Sequence, residues 1–323
     1  SGEVIVRNTL TAADGSYLFD ALPPGIYQVS VDADNFDPAG ALSGFQPSPI
    51  GQGTDAALDS NASPTGTDPL TLLSGQSDTD LDFGYFKATA AIGDRVWEDT
   101  NANGQQDAGE NGIAGATVRL YTCVDGAPGV LVAQTTTDAS GNYAFAGLMP
   151  GQYVVAFETP AGYQLSSADV GADDALDSDA GSGGLTGCYT LASGETNDTV
   201  DAGFWRPAAI GDRVWLDANA NGQQDAGEAG VAGVAVELYA CIDDQPSGSA
   251  LALTTTDADG NYAFTGLMPG QYVVKFLTPD GYSLSPVDVG ADGTDSDAAL
   301  SGFTGCYTLA SGQTDNSVDA GLY

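Results

Sequence analysis

One stretch of sequence occurs twice and decides the fold: IGDRVWEDTNANGQQDAGE at residues 92–110 and IGDRVWLDANANGQQDAGE at residues 210–228. In each copy, a short segment that begins with isoleucine and ends with tryptophan precedes a polar loop that contains glycine. The two copies lie 118 residues apart and differ at two positions. Self-similarity at a fixed spacing is typical of an array of like domains.

Later motifs divide the chain into three copies, because NYAF recurs at residues 142–145 and 261–264. Residues 88–206 and 207–323 are predicted to be two complete domains. Residues 1–87 are predicted to be a partial copy that lacks the N-terminal strands and the polar loop. Either this copy was cut from a longer array, or a neighbouring chain supplies its missing strands. Linkers of about four residues or fewer predict a semi-rigid rod.

Apolar and polar residues alternate along much of each copy. Val118 and Leu120, for example, alternate with Arg119 and Tyr121, a period of two that is typical of half-buried strands. Glycine-containing turn sequences separate these segments. About seven short strands per copy predict an all-β sandwich of two sheets.

The composition excludes several functions. Asp and Glu number 44 against 7 Lys and Arg, for a net charge of −37, so nucleic acid is not an expected partner. Such self-repulsion requires bound divalent cations or screening by external salt. No histidine is present, which removes the usual general base, and an enzyme is not expected. No apolar run approaches the roughly 18 residues that span a bilayer, so membrane insertion is not expected either.

The four cysteines fall two to a complete copy, each pair 65 residues apart. The economical disulfide pairing is Cys123–Cys188 and Cys241–Cys306, and the alternative is four buried free thiols. Pairing within each copy predicts an oxidising, extracellular or cell-surface setting. Strict alternation would place Cys123 on the face opposite the apolar side chains of its strand. A bulge, or a bridge at the rim of the sandwich, would resolve that conflict.

The polar loops match the calcium-loop pattern D-x-[DN]-x-[DN]-G-x5-E at every constrained position. Calcium takes roughly six to eight oxygen ligands in irregular geometry, and these loops supply carboxylate, amide and backbone oxygens. Strand-like sequence flanks both loops, which predicts solitary EF-hand-like loops between strands. The alternative is an Asn-Gly turn that binds nothing. The predicted ligands are Asp99, Asn101, Asn103, Gln105, Asp107 and Glu110, and Asp217, Asn219, Asn221, Gln223, Asp225 and Glu228.

A second acidic cluster recurs later in each complete copy. Carboxylates at this density repel one another unless a cation or water separates them, so the cluster is a second candidate metal site. A solvated acidic loop is the alternative. The candidate ligands are Asp173, Asp177 and Asp179, and Asp292, Asp295 and Asp297.

Taken together, these motifs resemble the SdrD B-like domains, the B-type repeats of bacterial surface adhesins. The resemblance covers essentially the whole chain and includes IGDRVW, the polar loop, and MPGQY at residues 149–153. It implies tandem immunoglobulin-like or prealbumin-like β-sandwich domains in which calcium at the EF-hand-like loops rigidifies a stalk. Related domains form Lys–Asn cross-links, but Lys275 has Ala156 as its counterpart, so none is expected here.

Two functions fit these expectations. The first is a structural extracellular rod, stalk or filament on a microbial surface, whose partner is another copy or the continuation of a longer repeat array. The alternative is an adhesin module that binds a host, matrix or cell-surface ligand. The near identity of the complete copies favours the rod, because a ligand site would be expected to make them differ.

Overall fold

The computed structural model describes residues 6–52, 55, 58–61 and 66–323. The chain forms two compact units, one of residues 1–90 with 148–150 and one of residues 91–147 with 151–323. In the described ranges, the regular structure consists of β-strands and two short 3-10 helices. We call residues 1–87, 88–206 and 207–323 the first, second and third repeats.

The first repeat contains short strands and little buried apolar surface. Strand β1 pairs antiparallel with β3, and β2 with β4. Among its described residues no apolar side chain is fully buried, and Leu18 and Ile26 are exposed. Its elements are β1 (Gly25–Tyr27), a 3-10 helix (Ala33–Phe36), β2 (Gln46–Pro47), β3 (Leu70–Leu72) and β4 (Tyr85–Phe86).

The second repeat consists of two sheets. One has the strand order β10-β13-β5-β12, with β8 also paired to β5, and the other has the order β11-β9-β6-β7. The elements are β5 (Ala90–Glu98), β6 (Thr117–Val124), β7 (Ala127–Thr136), β8 (Asn142–Leu148), β9 (Gly151–Phe157), β10 (Gln164–Leu165), a 3-10 helix (Ser182–Gly184), β11 (Tyr189–Leu191), β12 (Thr196–Asn197) and β13 (Ala202–Trp205).

The third repeat has the same architecture. Strand β14 pairs with β17, β20 and β21 in one sheet, and the other sheet has the order β16-β15-β18-β19. The strands are β14 (Ala208–Leu216), β15 (Ala235–Ile242), β16 (Gln245–Thr255), β17 (Asn261–Leu267), β18 (Gly270–Leu277), β19 (Phe303–Leu309), β20 (Thr314–Asp315) and β21 (Ala320–Leu322).

The alternating side chains of the two sheets meet in one core per complete repeat, as the period-two pattern predicts. The predicted all-β class of tandem sandwiches is therefore confirmed. Prominent buried residues of the second repeat are Ile92, Val96, Trp97, Val118, Leu120, Phe145, Val155, Phe157 and Phe204. Their counterparts in the third repeat are Ile210, Val214, Trp215, Val236, Leu238, Phe264, Val274, Phe276 and Leu322.

The last strand of each complete repeat runs parallel to the first, and this pairing positions the polar loop. Ala202 lies opposite Val96 and Phe204 opposite Glu98, so the chain ends its repeat beside the point where the loop begins. In the third repeat, Leu216 is opposite Leu322. Residues more than 100 positions apart are thereby brought to one end of the sandwich.

Both predicted disulfides are present, Cys123–Cys188 with a Cα–Cα distance of 5.9 Å and Cys241–Cys306 with 6.0 Å. The register of β6 against β7 shifts on both sides of Tyr121, and β15 shifts against β16 between Leu238 and Ala240. The extra residues of these shifts lie in β7 and β16, because β6 and β15 keep an unbroken register against β9 and β18. Cys123 therefore stays on the face opposite Val118 and Leu120, and its partner Cys188 is exposed, so the bridge lies outside the core and not behind a bulge in β6.

Candidate metal centres

The polar loop of the second repeat is closed at its base by strand-like pairing. The N–H of Asp99 donates to the carbonyl of Phe204 at 2.9 Å, and the N–H of Glu98 donates to Asn111 at 2.8 Å. Trp97 and Gly112 form an antiparallel bridge. The first and last positions of the calcium-loop pattern are therefore held close together by backbone hydrogen bonds.

The carboxylate of Asp99 organises the turn. It is fully buried and accepts hydrogen bonds from the N–H groups of Gly104 at 2.8 Å and Asn103 at 3.2 Å. Gly104 has a φ of +81°, and a Cβ there would lie 2.5 Å from the carbonyl oxygen of Ser167. The sixth position of the pattern must consequently be glycine, both for conformation and for space.

The carboxylate of Glu110 folds back over the same turn. One oxygen accepts from the N–H of Thr100 at 2.7 Å, and the other accepts from the N–H of Asp107 at 3.0 Å. Burial raises the pKa of Glu110, and the negative charge of Asp99 acts in the same direction. Two buried carboxylates thus belong to one loop of 12 positions, as the pattern requires.

The remaining predicted ligands are joined to one another by hydrogen bonds within the same loop. The side-chain amides of Asn101 and Asn103 donate to the same oxygen of Asp107, at 2.8 and 2.9 Å. The N–H of Gln105 donates to the side-chain oxygen of Asn103 at 2.7 Å.

The loop of the third repeat repeats this geometry. Gly222 and Asn221 donate to the carboxylate of Asp217 at 2.8 and 3.1 Å, and Asp225 donates to Glu228 at 2.9 Å. Burial acts to raise the pKa of Asp217, but hydrogen bonds led by that from Gly222 outweigh it, and the pKa is lowered overall. The predicted ligands of both repeats therefore gather around equivalent turns, including the amide pair of Asn219 and Asn221 on Asp225.

The donor chemistry of both loops fits calcium. Every predicted ligand atom is an oxygen, as a hard cation of variable geometry requires. None of the ion pairs found in the described ranges includes a predicted loop ligand. Buried carboxylates without a cationic partner are costly, and a divalent ion would offset that cost.

The second acidic cluster packs directly against the polar loop. In the second repeat, the N–H of Gln106 donates to Leu176 at 2.7 Å, and the N–H of Ser178 donates to Gly104 at 3.0 Å. Asp174, Asp177 and Asp179 place carboxylate oxygens within 4.8 Å of one another. Asp174 is exposed, whereas Asp177 and Asp179 are both 6 % exposed.

One oxygen of this cluster lacks a hydrogen-bond partner. It is Oδ1 of Asp177, and burial, reinforced by Asp174, raises the pKa of that carboxyl. Burial likewise raises the pKa of Asp179 to about 6, although Tyr189 donates to its carboxylate at 2.6 Å. Asp173 instead accepts a hydrogen bond from the N–H of Ala175 and is not part of the close group.

The third repeat places its acidic residues differently. Its loop is one residue shorter and has Asp292 where the second repeat has both Asp173 and Asp174. Asp295 is 3 % exposed, and burial raises the pKa of Asp297 to about 7. No close trio of carboxylates forms here among the residues that the structure describes.

Sequence reasoning missed one further buried carboxyl beneath the acidic segment of each complete repeat. Asp201 and Asp319 are fully buried, and burial raises their pKa values to about 9 and about 8. Each accepts a backbone hydrogen bond from the first strand, Asp201 from Arg95 at 3.0 Å and Asp319 from Arg213 at 3.1 Å. The repeated DAG motif at residues 201–203 and 319–321 was the signal that could have indicated them.

Fold and loops together define a chain of tandem β-sandwich domains, each complete one with an oxygen-rich loop at one end. The model of the SdrD B-like domain matches residues 1–85, 90–204 and 208–322. The chain belongs to this family, and the resemblance seen in its motifs is confirmed. Membership places it among domains of cell-surface proteins and not among enzymes. Within the described ranges, no helix has the length and apolar character needed to cross a membrane.

The relatives include serine-aspartate repeat-containing protein D of Staphylococcus aureus strain Newman, 37% identical over 320 residues. The match covers 98% of this chain and 22% of that protein. Serine-aspartate repeat-containing protein F of Staphylococcus epidermidis is 36% identical over 326 residues, covering 98% and 17%. The chain thus spans about a fifth of the length of these relatives.

Solved structures that this chain matches include the Bacillus anthracis TIE protein, with a TM-score of 0.31 and 15% identity. That match covers 97% of this chain and 44% of the other. A streptococcal ancillary pilin has a TM-score of 0.30 and 13% identity, covering 94% and 76%.

Proposed function

We propose that this chain is a segment of an extracellular rod or stalk whose complete repeats are held rigid by calcium. The observation that carries the proposal is the pair of closed loops, each with carboxylates at its first and last positions and amide and backbone oxygens between. The predicted domain boundaries at residues 87/88 and 206/207 belong to the same proposal. Family membership and the disulfides support the cell-surface setting.

Calcium would cross-link the strands at one end of each complete sandwich. The ligands of the second-repeat loop are proposed to be Asp99, Asn101, Asn103, Gln105, Asp107 and Glu110, and the third-repeat loop has the equivalent six. The first of these ligands is bonded to the last strand of the repeat through its backbone. An ion in the loop would therefore join the first strand, the loop and the last strand, and resist opening of the sandwich.

A second ion is proposed in the second repeat, at Asp174, Asp177 and Asp179. The unpartnered Oδ1 of Asp177 supports it, because a buried carboxylate oxygen without a partner is destabilising unless something binds it. Asp292, Asp295 and Asp297 stay a weaker candidate for a site, since their loop is shorter and brings together no such trio.

The rod is favoured over a ligand-binding adhesin module by the likeness of the two complete repeats. Each buries its core, closes its loop and forms its disulfide in the same way. Continuation of a longer repeat array is the proposed partner, because the relatives are several times longer than this chain.

The test is thermal unfolding and protease digestion of the chain in calcium, in EDTA, and in sodium chloride or magnesium at matched ionic strength. We expect calcium to raise the melting temperature and to slow digestion, and sodium chloride and magnesium to do neither. If charge screening were the cause, sodium or magnesium at the same ionic strength would have the same effect as calcium. Replacing the exposed Asp280 with alanine is the control, and it should leave the calcium effect unchanged. Equal melting temperatures in calcium and EDTA would refute structural calcium.

A further inference from the structure

The linker between the second and third repeats is held by one carboxylate. The guanidinium of Arg206 donates to Oε1 of Glu98 through Nε at 3.0 Å and Nη2 at 2.8 Å. The hydroxyl of Ser311, in the third repeat, donates to the same oxygen at 2.7 Å. The Glu98 side chain is only 16% exposed, so this contact is more sheltered than an ordinary surface ion pair.

Other groups close around this contact. The N–H of Arg206 donates to the Ser311 hydroxyl at 2.8 Å, and the N–H of Gly312 donates to the carbonyl of Arg206 at 2.9 Å. Tyr163 lies under the Arg206 guanidinium, 5.4 Å from it, and donates to the other oxygen of Glu98 at 3.3 Å. The carboxylate is thus bonded from the second repeat, the linker and the third repeat.

The polar loop itself takes part in the contact. The N–H of Ser311 donates to the carbonyl of Thr100 at 2.9 Å. Thr100 is the second residue of the loop, and its N–H and hydroxyl both donate to the carboxylate of Glu110. The third repeat therefore touches the loop one residue away from a proposed calcium ligand.

The two copies of the loop sequence differ only at the positions that make this contact. Residues 92–110 and 210–228 are identical except that Glu98 and Thr100 are replaced by Leu216 and Ala218. The differences thus coincide with the face that meets the next repeat. Neither the core nor the predicted ligands require them, because both are kept in the third repeat.

We propose that Glu98, Arg206 and Ser311 form a repeat-docking surface that fixes the third repeat against the second. The partner that fits it is a following repeat that brings a Ser-Gly turn to Glu98 and to the arginine at the end of the preceding repeat. Through Thr100, the docking surface also couples the position of the third repeat to the conformation of the polar loop in the second repeat. The coupling through Thr100 rests on the proposed calcium function, whereas the docking surface does not.

The docking surface is tested by the substitution E98L in the full chain. Spin labels are placed through genetically encoded ketone residues at Ala139 and Ala258, which are exposed turn positions of the two repeats. Pulsed electron paramagnetic resonance then gives the distribution of distances between them in calcium. We expect E98L to widen the distribution at least about twofold, because the linker loses its fixed partner. Leucine is compatible with the fold, since Leu216 occupies the same position.

The matched control is E158L, which removes the Arg119–Glu158 ion pair within the second repeat. It should leave the width unchanged. A distribution as narrow in E98L as in the wild type would overturn the docking surface. This outcome is independent of calcium, because the comparison is made at one calcium concentration and melting in EDTA is measured separately.

Coupling between the loop and the docking surface is tested with D99N and D217N. Both remove a proposed ligand, but only Asp99 belongs to the loop that contacts Ser311. We expect D99N to widen the distribution and D217N to leave it unchanged. Equal widening in both variants would contradict coupling through Thr100. If EDTA leaves melting unchanged while E98L still widens the distribution, the calcium proposal fails and the docking surface stands.

Discussion

The second and third repeats share one fold and one calcium-loop pattern, yet they differ in what surrounds the loop. The second repeat has Glu98 and Thr100 against the following repeat, and a close trio of carboxylates behind the loop. The third has Leu216 and Ala218 at the first site and a shortened acidic segment at the second. The loop is therefore the constant part of the repeat, whereas the contacts and the carboxylates that surround it differ between the two repeats.

The disulfides should make the largest contribution to the free energy of unfolding, and the contribution should be equal in the second and third repeats. Replacing Cys123 and Cys188, or Cys241 and Cys306, with alanine is expected to cost about 4 kcal/mol of unfolding free energy, because each bond closes a loop of 65 residues. Denaturant unfolding of the two double variants measures this cost. A large difference between them would show that the two sandwiches are not equivalent.

Loss of one loop ligand should have the second-largest effect on stability. D99N and D217N are each expected to remove about 2.7 kcal/mol of calcium-dependent stability at a calcium concentration 100 times the dissociation constant. Thermal unfolding in calcium and in EDTA measures it, and the two variants should differ from the wild type only when calcium is present. A loss of the same size in EDTA would point to the hydrogen bonds of the aspartate and not to the ion.

The second repeat is expected to bind one more calcium ion than the third, because only its acidic cluster forms a close trio. D174N is expected to lower the number of bound calcium ions from three to two, because it removes one carboxylate of the close trio. D173N is the control and should leave three, since Asp173 lies outside that group. Native mass spectrometry counts the ions. Three ions in both variants would remove the second site.

The buried carboxyls should give the smallest effect. In EDTA, D201N and D319N are each expected to raise the unfolding free energy by about 1 kcal/mol or more at neutral pH, because the amide still accepts the backbone hydrogen bond but does not have to take up a proton on folding, as the buried carboxyl does. Since burial raises the pKa of both carboxyls, to about 9 and about 8, the wild type loses stability as pH rises from 4 toward these values. The gain in the variants should therefore increase over that range, as chemical unfolding at several pH values would reveal.

Much of this architecture could be predicted because its signals are local. The period-two pattern around Val118, the recurrence of IGDRVW and the contiguous loop ligands all lie within short stretches. The side of the sheet on which Cys123 lies also followed from alternation along its strand. Such features depend on neighbours in sequence, which a single chain displays directly.

What sequence could not reveal depends on pairing across the fold. Asp201 reaches the first strand only because β13 runs parallel to β5. Glu98, Arg206 and Ser311 meet although more than 100 residues separate each from the next. The sequence prediction placed Asp173 beside Asp177 and Asp179, whereas the structure places Asp174 there, because the backbone N–H of Ala175 engages the carboxylate of Asp173.

Hydrogen exchange of the full chain, followed by mass spectrometry of its peptides in calcium and in EDTA, tests the central claim most directly. Calcium should slow exchange at least about tenfold in residues 99–110 and 217–228 and in the strands that precede them, since an ion in each loop resists local opening. The protection should extend to residues 174–179 of the second repeat. Equal exchange of both loops with and without calcium would contradict the account.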